Sequence, residues 1–436
     1  MSKSKMPTSL LGRSARLLGM ASKLAVKELA NKVIEKAPES KLALRIEQAK
    51  IITEQLSQLK GAAMKAGQLL SIDASDFLPP EALEILGELQ ASARPEPLSL
   101  ITQILKQELS LERFNDIKNL SSDPIGTASI GQVHRATICS EEVAIKVQYP
   151  NVQSSIDSDL KLLETLAQSL VRAFGKKYSL KDTFNEIREV LTQETDYLLE
   201  RSYLEQYRHN LESDSRYIVP KSLPNYSTNK VLTMTYEKGV PLSLWLKTSP
   251  SLKAREQVAR MLLDLFCKEF VDHGLVQTDP NFANYLIQDG QNGLKLVLLD
   301  FGAALEFSDE FRRRYAKLLI DLRQNSPEYV FSSAVDYGLL DARESAQVVN
   351  AFYDMISTSL EPFHPNKQPF CFTDTDFEKR TRDKNLKFTS ALVYSPPPRK
   401  ILFLHRKLGG VFNFVKKLGV TLDLRPYWEQ MTKTKA

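Results

Sequence analysis

The 436-residue chain is long enough for one large or two ordinary domains, and its 42% hydrophobic and 25% charged residues are globular proportions that exclude a disordered or fibrous class. A net charge of +5, with no aromatic-plus-basic cluster, argues against a nucleic-acid partner. Three distant cysteines (Cys139, Cys267, Cys371) fit a reducing compartment, five scattered histidines show no metal-ligand spacing, and no apolar run is long enough to span a bilayer.

Residues 1–40 hold a basic amphipathic helix, "SLLGRSARLLGMASKLAVKEL". Leu10, Leu11, Leu17, Leu18, Ala21 and Leu24 lie near one face, with Arg13, Arg16, Lys23 and Lys27 elsewhere. Such a helix suits an anionic membrane surface, a transit sequence or a dock on its own domain. Residues 41–115 read as a helical extension punctuated by "LPP" at 78–80 and "RPEP" at 94–97. Within it, Lys65 and Gln68 sit among Ala62, Ala63, Ala66 and Gly67. Either this is a solvated, alanine-rich stripe, or the helix presses closely on something that wants an ammonium group.

Residues 116–238 change texture. "GTASIGQVHRATICSEEVAIKVQYP" predicts strands on either side of a polar turn at Ser140–Glu142. A long helix is predicted over about 155–210, broken near Gly175, followed by short strands in "YIVPKSL" and "KVLTMTY". Residues 239–436 read as mainly helical, with one hairpin in "NYLIQDGQNGLKLVLLD" turning at Asp289–Gly293. The expected architecture is α+β: a helical extension, a small strand-rich lobe and a larger helical lobe.

The chemistry is carried by four motifs in order. Lys146 ends the buried strand "VAIK", and a buried ammonium requires a partner. "GTASIGQVHRA" precedes it at the spacing of a nucleotide-covering loop, against the alternative of a plain tight turn. In "VQTDPNFANYLI", Asn284 follows Asp279 by five, the arrangement of a kinase catalytic loop. "LVLLDFGAA" then runs a strand of aliphatic residues into Asp300-Phe301-Gly302, whose carboxylate would hold Mg2+ against nucleotide phosphates. Together they predict a protein-kinase-like two-lobe fold.

On these residues the chain resembles the UbiB-like atypical kinases associated with ubiquinone (coenzyme Q) biosynthesis, over nearly its whole length. Lys65 to Gln68 answers to that family's KxGQ motif, Gly126–Ile130 stands in its alanine-rich loop, and Glu194 and Asp196 form its ExD pair, with Glu200 following. "QTDPNFAN" and "FLHRKLGGVF" look like the mitochondrial-type branch. Gly126 and Thr127 replace alanines of the family loop, and the membrane-spanning tail of some bacterial members is missing, so any attachment is expected to be peripheral. After Ala304 there is no room for a long activation segment.

The resemblance implies ATP (or ADP) and Mg2+ as cofactors. Gly126, Thr127, Ala128, Ser129 and Ile130 would cover the nucleotide, with its adenine edge on the linker Thr235, Tyr236, Glu237 and Lys238. Lys146, paired with Glu200, would hold the phosphates; Asn284 and Asp300 would bind the metal; Asp279 would orient the nucleophile or accept its proton. It also implies that Lys65 meets Glu194 and Asp196. Residues two apart on a regular helix diverge by about 200°, so both acids face Lys65 only if that helix is distorted or Lys65 enters from the side. Asp196 and Glu200, four apart, are expected to share a face. Which acid serves which lysine stays open at this point. Expected partners are nucleotide, anionic membrane lipid and ubiquinone-biosynthesis proteins or intermediates. The expected location is cytoplasmic or peripheral on a bacterial inner membrane, or the matrix side in a mitochondrion. A nucleotide-binding scaffold without chemistry and a small-molecule kinase of the aminoglycoside-phosphotransferase type are the alternatives. Retention of all four catalytic polar residues opposes the first, and the KxGQ and ExD motifs oppose the second.

Overall fold

The computed structural model describes residues 95–128, 130–173, 179–290, 293–395 and 399–433. The amphipathic helix of residues 1–40, the KxGQ segment with Lys65 and Gln68, Ser129 and the break near Gly175 lie outside the described residues.

The chain enters through helices α1 (Leu98–Glu108) and α2 (Leu111–Asp116). Ile101, Ile104 and Leu105 recur at helical spacing, so α1 buries one stripe. That stripe packs with Val143, Ile145 and Val147 of strand β3 (Glu141–Gln148). Alternation along the strand sends Ala144 and Lys146 to the opposite face, toward the cleft between the lobes. β3 pairs antiparallel with β2 (Gly131–Ile138), which in turn pairs with β1 (Gly126–Thr127). The β2–β3 turn lies at Cys139–Ser140 and not at Ser140–Glu142. Both residues have positive φ, and Ile138 pairs with Glu141, leaving a two-residue loop whose twist matches the flanking strands.

The stretch expected as a long helix broken near Gly175 is three helices: α3 (Val152–Ala173), α4 (Lys181–Glu194) and α5 (Tyr197–Leu211). The second break carries no glycine or proline. Asp196 is extended there (φ −102°, ψ 91°) and its carboxylate accepts from the Leu198 and Leu199 amides, both at 3.0 Å, capping α5. Asp196 and Glu200 therefore do not share a helical face, because Asp196 stands outside the helix.

Of "YIVPKSL", only β4 (Tyr217–Ile218) is strand, and it pairs in parallel with a strand of the larger lobe. β5 (Val231–Thr235) completes the small-lobe sheet in the order β1-β2-β3-β5 and leads through the linker to β6 (Val240–Pro241). Helices α6 (Leu242–Lys247) and α7 (Leu252–Cys267) follow, and α7 carries the core of the large lobe through Val258, Leu262, Leu265 and Phe266. It ends in a π turn, Lys268–His273, stopped by Gly274 at φ +66°. Next come β7 (Leu275–Gln277), the expected hairpin as β8 (Tyr285–Gly290) and β9 (Gly293–Leu298), and β10 (Ala304–Glu306). A sheet of order β4-β9-β8-β6 sits below the linker. β7 and β10 pair antiparallel, a ladder too short to leave a sequence pattern. The remainder is α8 (Asp309–Asp321), α9 (Pro327–Asp336), α10 (Ala346–Ser359), β11 (Phe370–Cys371), α11 (Thr375–Ala391), α12 (Arg399–Leu418), β12 (Thr421–Leu422) and α13 (Arg425–Thr432). No helix among the described residues is long and apolar enough to cross a membrane.

The three cysteines differ in access. Cys139 and Cys371 are exposed, while Cys267 is buried in α7 and burial pushes its thiol up to about 12. Hydrogen bonding to Thr373 and Thr421 holds Cys371 below the ordinary thiol range. Titration of the native protein with a thiol reagent should consume two groups, Cys371 first, and the third only after denaturation. Three fast thiols in the native state would contradict this packing of α7.

Candidate active site

At the cleft, two carboxylates from distant parts of the chain meet one ammonium. Lys146 Nζ lies 2.7 and 2.8 Å from the two Glu200 oxygens and 3.5 Å from Asp300 Oδ1. Its ammonium stands 5.1 Å from the centre of the Tyr197 ring. Lys146 and Glu200 are 8% and 1% exposed, so neither is solvated enough to stand alone. Burial pulls the lysine down, but Asp300 and Glu200 outweigh it and hold the ammonium well above its ordinary value. The lysine is the member that stays charged. Glu200, pushed up to about 7 by burial against the pull of Lys146, with Asp300 pushing the same way as burial, is the member that yields when a proton is taken up. The Lys146–Glu200 pairing is thereby the one that kinase logic favours.

The DFG segment closes against this pair. Phe301 is buried and its ring lies 5.0 Å from that of Tyr207 on α5. Asp300 Oδ1 accepts from the Gly302 amide at 3.0 Å. A Cβ at Gly302 would lie 3.2 Å from Glu200 Oε2 and 3.4 Å from Asp300 Oδ1, so glycine gives the chain a close approach to both carboxylates.

The catalytic loop is brought to the DFG segment by the β7–β10 ladder, in which Gln277 pairs with Ala304. Thr278 donates from both its amide and its hydroxyl to the Ala303 carbonyl, at 3.0 and 2.8 Å. Gln277 donates to the Asp300 carbonyl at 3.1 Å and accepts from the Asp279 amide through its side-chain oxygen. The Asn284 amide nitrogen donates to the Asp279 carbonyl at 3.2 Å, leaving its side-chain oxygen as an acceptor. Asn284 and Asp300 line one small cavity with Gln277, Tyr285 and Phe301. One carboxylate and one amide oxygen suit Mg2+, a hard cation that takes few protein oxygens and completes its shell with phosphates and water.

Of the loop over the cleft, Gly126 and Thr127 form β1, Ala128 donates to the Gly131 carbonyl at 2.8 Å, and Ile130 is buried beside Tyr149 and Tyr197. A Cβ at Gly126 would meet only Val133, at 3.9 Å. In the linker, Tyr236 donates to the Glu142 carbonyl at 2.9 Å and Thr235 to Glu237 at the same distance, while Lys238 accepts from Gln288. Arg135 stacks over Tyr236 at 4.6 Å. Glu194, at the end of α4, is buried, whereas Asp196 is exposed and occupied as a cap. Between these two acids the helix is broken, one ending at Glu194 and the next capped by Asp196.

Sequence reasoning missed the layer behind the catalytic loop. Lys407 on α12 and Glu269 on the π turn form an ion pair of 2.8 Å, 1% and 3% exposed. Tyr207 donates to Glu269 at 2.9 Å, and Lys407 donates to the Tyr285 hydroxyl at 3.3 Å. Arg406 donates from Nε to the Thr278 carbonyl at 3.0 Å. In the sequence, His405-Arg406-Lys407 reads as a basic run, and nothing local marks two of its cations as buried. Removing one partner of such a pair strands a buried charge. Lys407→Met is expected to lower stability by about 3–5 kcal/mol, and adding Glu269→Leu to recover part of it. Denaturant unfolding checks this; a single substitution within about 0.5 kcal/mol of the parent would contradict it.

The comparisons with known proteins point to one family. A family profile described as the ABC1 atypical kinase-like domain matches residues 88–332. The atypical kinase COQ8, mitochondrial, of Schizosaccharomyces pombe is 32% identical over 99% of this chain and 71% of its own length. The Saccharomyces cerevisiae protein of the same description is 31% identical over 98% of this chain and 86% of its own. A solved structure of Rv3197 with erythromycin, from Mycobacterium tuberculosis, aligns over 91% of this chain and 98% of its own, with a TM-score of 0.60 and 22% identity, a likeness of fold. Shared motifs, extended similarity and fold lead to one conclusion: the chain belongs to the ABC1 (UbiB) family of atypical kinase-like proteins.

Proposed function

We propose that the protein binds a Mg2+-nucleotide, ATP or ADP, and hydrolyses it or transfers its phosphoryl group in support of ubiquinone (coenzyme Q) biosynthesis. The observation that carries the reading is the assembled triad: Lys146 is already locked to Glu200 with Asp300 at 3.5 Å. Phosphoryl transfer consists largely of positioning and charge neutralisation, so a charge set in place before the nucleotide arrives has little left to reorganise. In this reading Lys146 contacts the phosphates, Asn284 and Asp300 hold Mg2+, and Asp279 orients the nucleophile or receives its proton. Magnesium would supply neutralisation of the phosphate charge. Gly126–Ile130 cover the phosphates, and the adenine rests on Thr235–Lys238. Lys65, carried by the KxGQ motif, would meet the acids Glu194 and Asp196 of the α4–α5 junction. The short path from Ala304 to α8 leaves no long activation segment, which favours water or a small lipid-related acceptor over a docked protein.

Asp300→Asn tests the metal assignment, since an amide cannot supply the charge that fixes the ion. Mg2+-dependent nucleotide binding and turnover should fall at least tenfold while the protein stays folded. Unchanged affinity in magnesium together with unchanged turnover would end the assignment.

The amphipathic terminus supports a peripheral place on an anionic membrane. Removal of residues 1–36 should reduce flotation with anionic liposomes, with the basic share of binding lost at high salt. Identical flotation with and without the segment would mean that the helix docks on its own protein.

A further inference from the structure

Helix α12, the long helix before the last one, touches the catalytic loop along one continuous face. Arg406 donates to the Thr278 carbonyl, and Lys407 reaches the hydroxyl of Tyr285. Phe414 stacks edge-on against Phe282 and Tyr285, with ring centres at 4.0 and 5.7 Å, and Lys417 lies 4.6 Å from the Phe282 ring. Between these contacts comes Gly410. A Cβ there would lie 2.1 Å from Pro280 Cβ and 2.3 Å from its Cγ. Pro280 follows Asp279, and its ring cannot rotate away as a flexible side chain would. By contrast, a Cβ on the neighbouring Gly409 would meet nothing within 4 Å.

We propose that α12 is the backstop that fixes the height of the catalytic loop, with Gly410 and Arg406 as positioning residues for Asp279 and Asn284. This rests on the phosphoryl-transfer reading above. Gly410 lets the helix axis approach Pro280 to direct contact. Arg406 then ties the loop's backbone to the same helix through a buried, charge-assisted hydrogen bond. Both residues reach the loop through its backbone or Pro280 rather than through Asp279 or Asn284. An added methyl at 410 must push Pro280, and Asp279 with it, by roughly 1 Å, a displacement of the size that lowers catalysis about 100-fold.

Gly410→Ala and Gly409→Ala together separate position from fold, because alanine improves both helix sites intrinsically. Gly409→Ala should keep wild-type turnover. Gly410→Ala should lower kcat between about tenfold and 100-fold, while nucleotide affinity measured without magnesium stays within about twofold. In a Pro280→Gly background the same alanine has no ring to strike, so its effect on kcat should shrink to less than about threefold, a coupling that a merely structural glycine would not show. Hydrogen exchange over residues 278–285 reads the displacement without turnover, and should rise in Gly410→Ala alone. A folded Gly410→Ala protein with wild-type turnover and exchange overturns the inference. So does a loss of the same size in both backgrounds, or a misfolded variant that Pro280→Gly does not rescue. A wild-type protein that never turns over nucleotide would instead remove the phosphoryl-transfer reading, and exchange would still decide the role of α12.

Discussion

A single buried ammonium organises the cleft. Lys146 is nearly inaccessible, and its charge is balanced by Glu200 from α5 and Asp300 from the end of β9. An ammonium so buried is costly unless paired, so three elements remote in sequence are held to one spot by one electrostatic requirement. The alternation of β3 delivers the lysine to the cleft face, because Val143, Ile145 and Val147 occupy the other side against α1. The opening of α5 at Asp196 delivers the glutamate on its first turn. Gly302 lets the chain run close to both carboxylates.

A second buried pair, Lys407–Glu269, does comparable work behind the catalytic loop. Helix α5 contributes to both pairs, through Glu200 to the first and Tyr207 to the second. The glutamate of the rear pair sits on the π turn that extends α7, an irregularity of the kind found at functional sites. The loop carrying Asp279 and Asn284 is therefore braced by charge, by a hydrogen bond that Gln277 accepts and one that Arg406 donates, and by aromatic contacts from α12.

The α4–α5 junction separates two acids that a regular helix would carry together. Glu194 and Asp196 on one regular helix would point about 200° apart. The chain ends one helix at Glu194 and caps the next with Asp196, so one acid is buried and the other faces solvent as a cap. The two carboxylates of this motif therefore hold different positions: Asp196 fixes the start of the helix that bears Glu200, and Glu194 remains on the interior side.

The sequence by itself determined the order of the motifs and the α+β lobes, and it singled out Lys146, Asp279, Asn284 and Asp300 as candidates, while the acid that pairs with Lys146 stayed open until the structure put Glu200 there. These are legible because each is tied to a local signature: a buried strand ending in a cation, an aspartate and asparagine five apart, an acid leaving an aliphatic strand. Only the tertiary structure decided the break at Asp196, the two- and three-residue ladders, and the burial of Arg406 and Lys407. A cap without glycine or proline leaves little trace in periodicity, and strands of two or three residues are shorter than any pattern that could announce them. Whether a cation in a basic run is solvated depends on the acid that packs against it, and for Lys407 that acid is Glu269, on another helix and far away in the chain. Pairwise burial between distant segments is a property of the fold, so it has no local sequence signal.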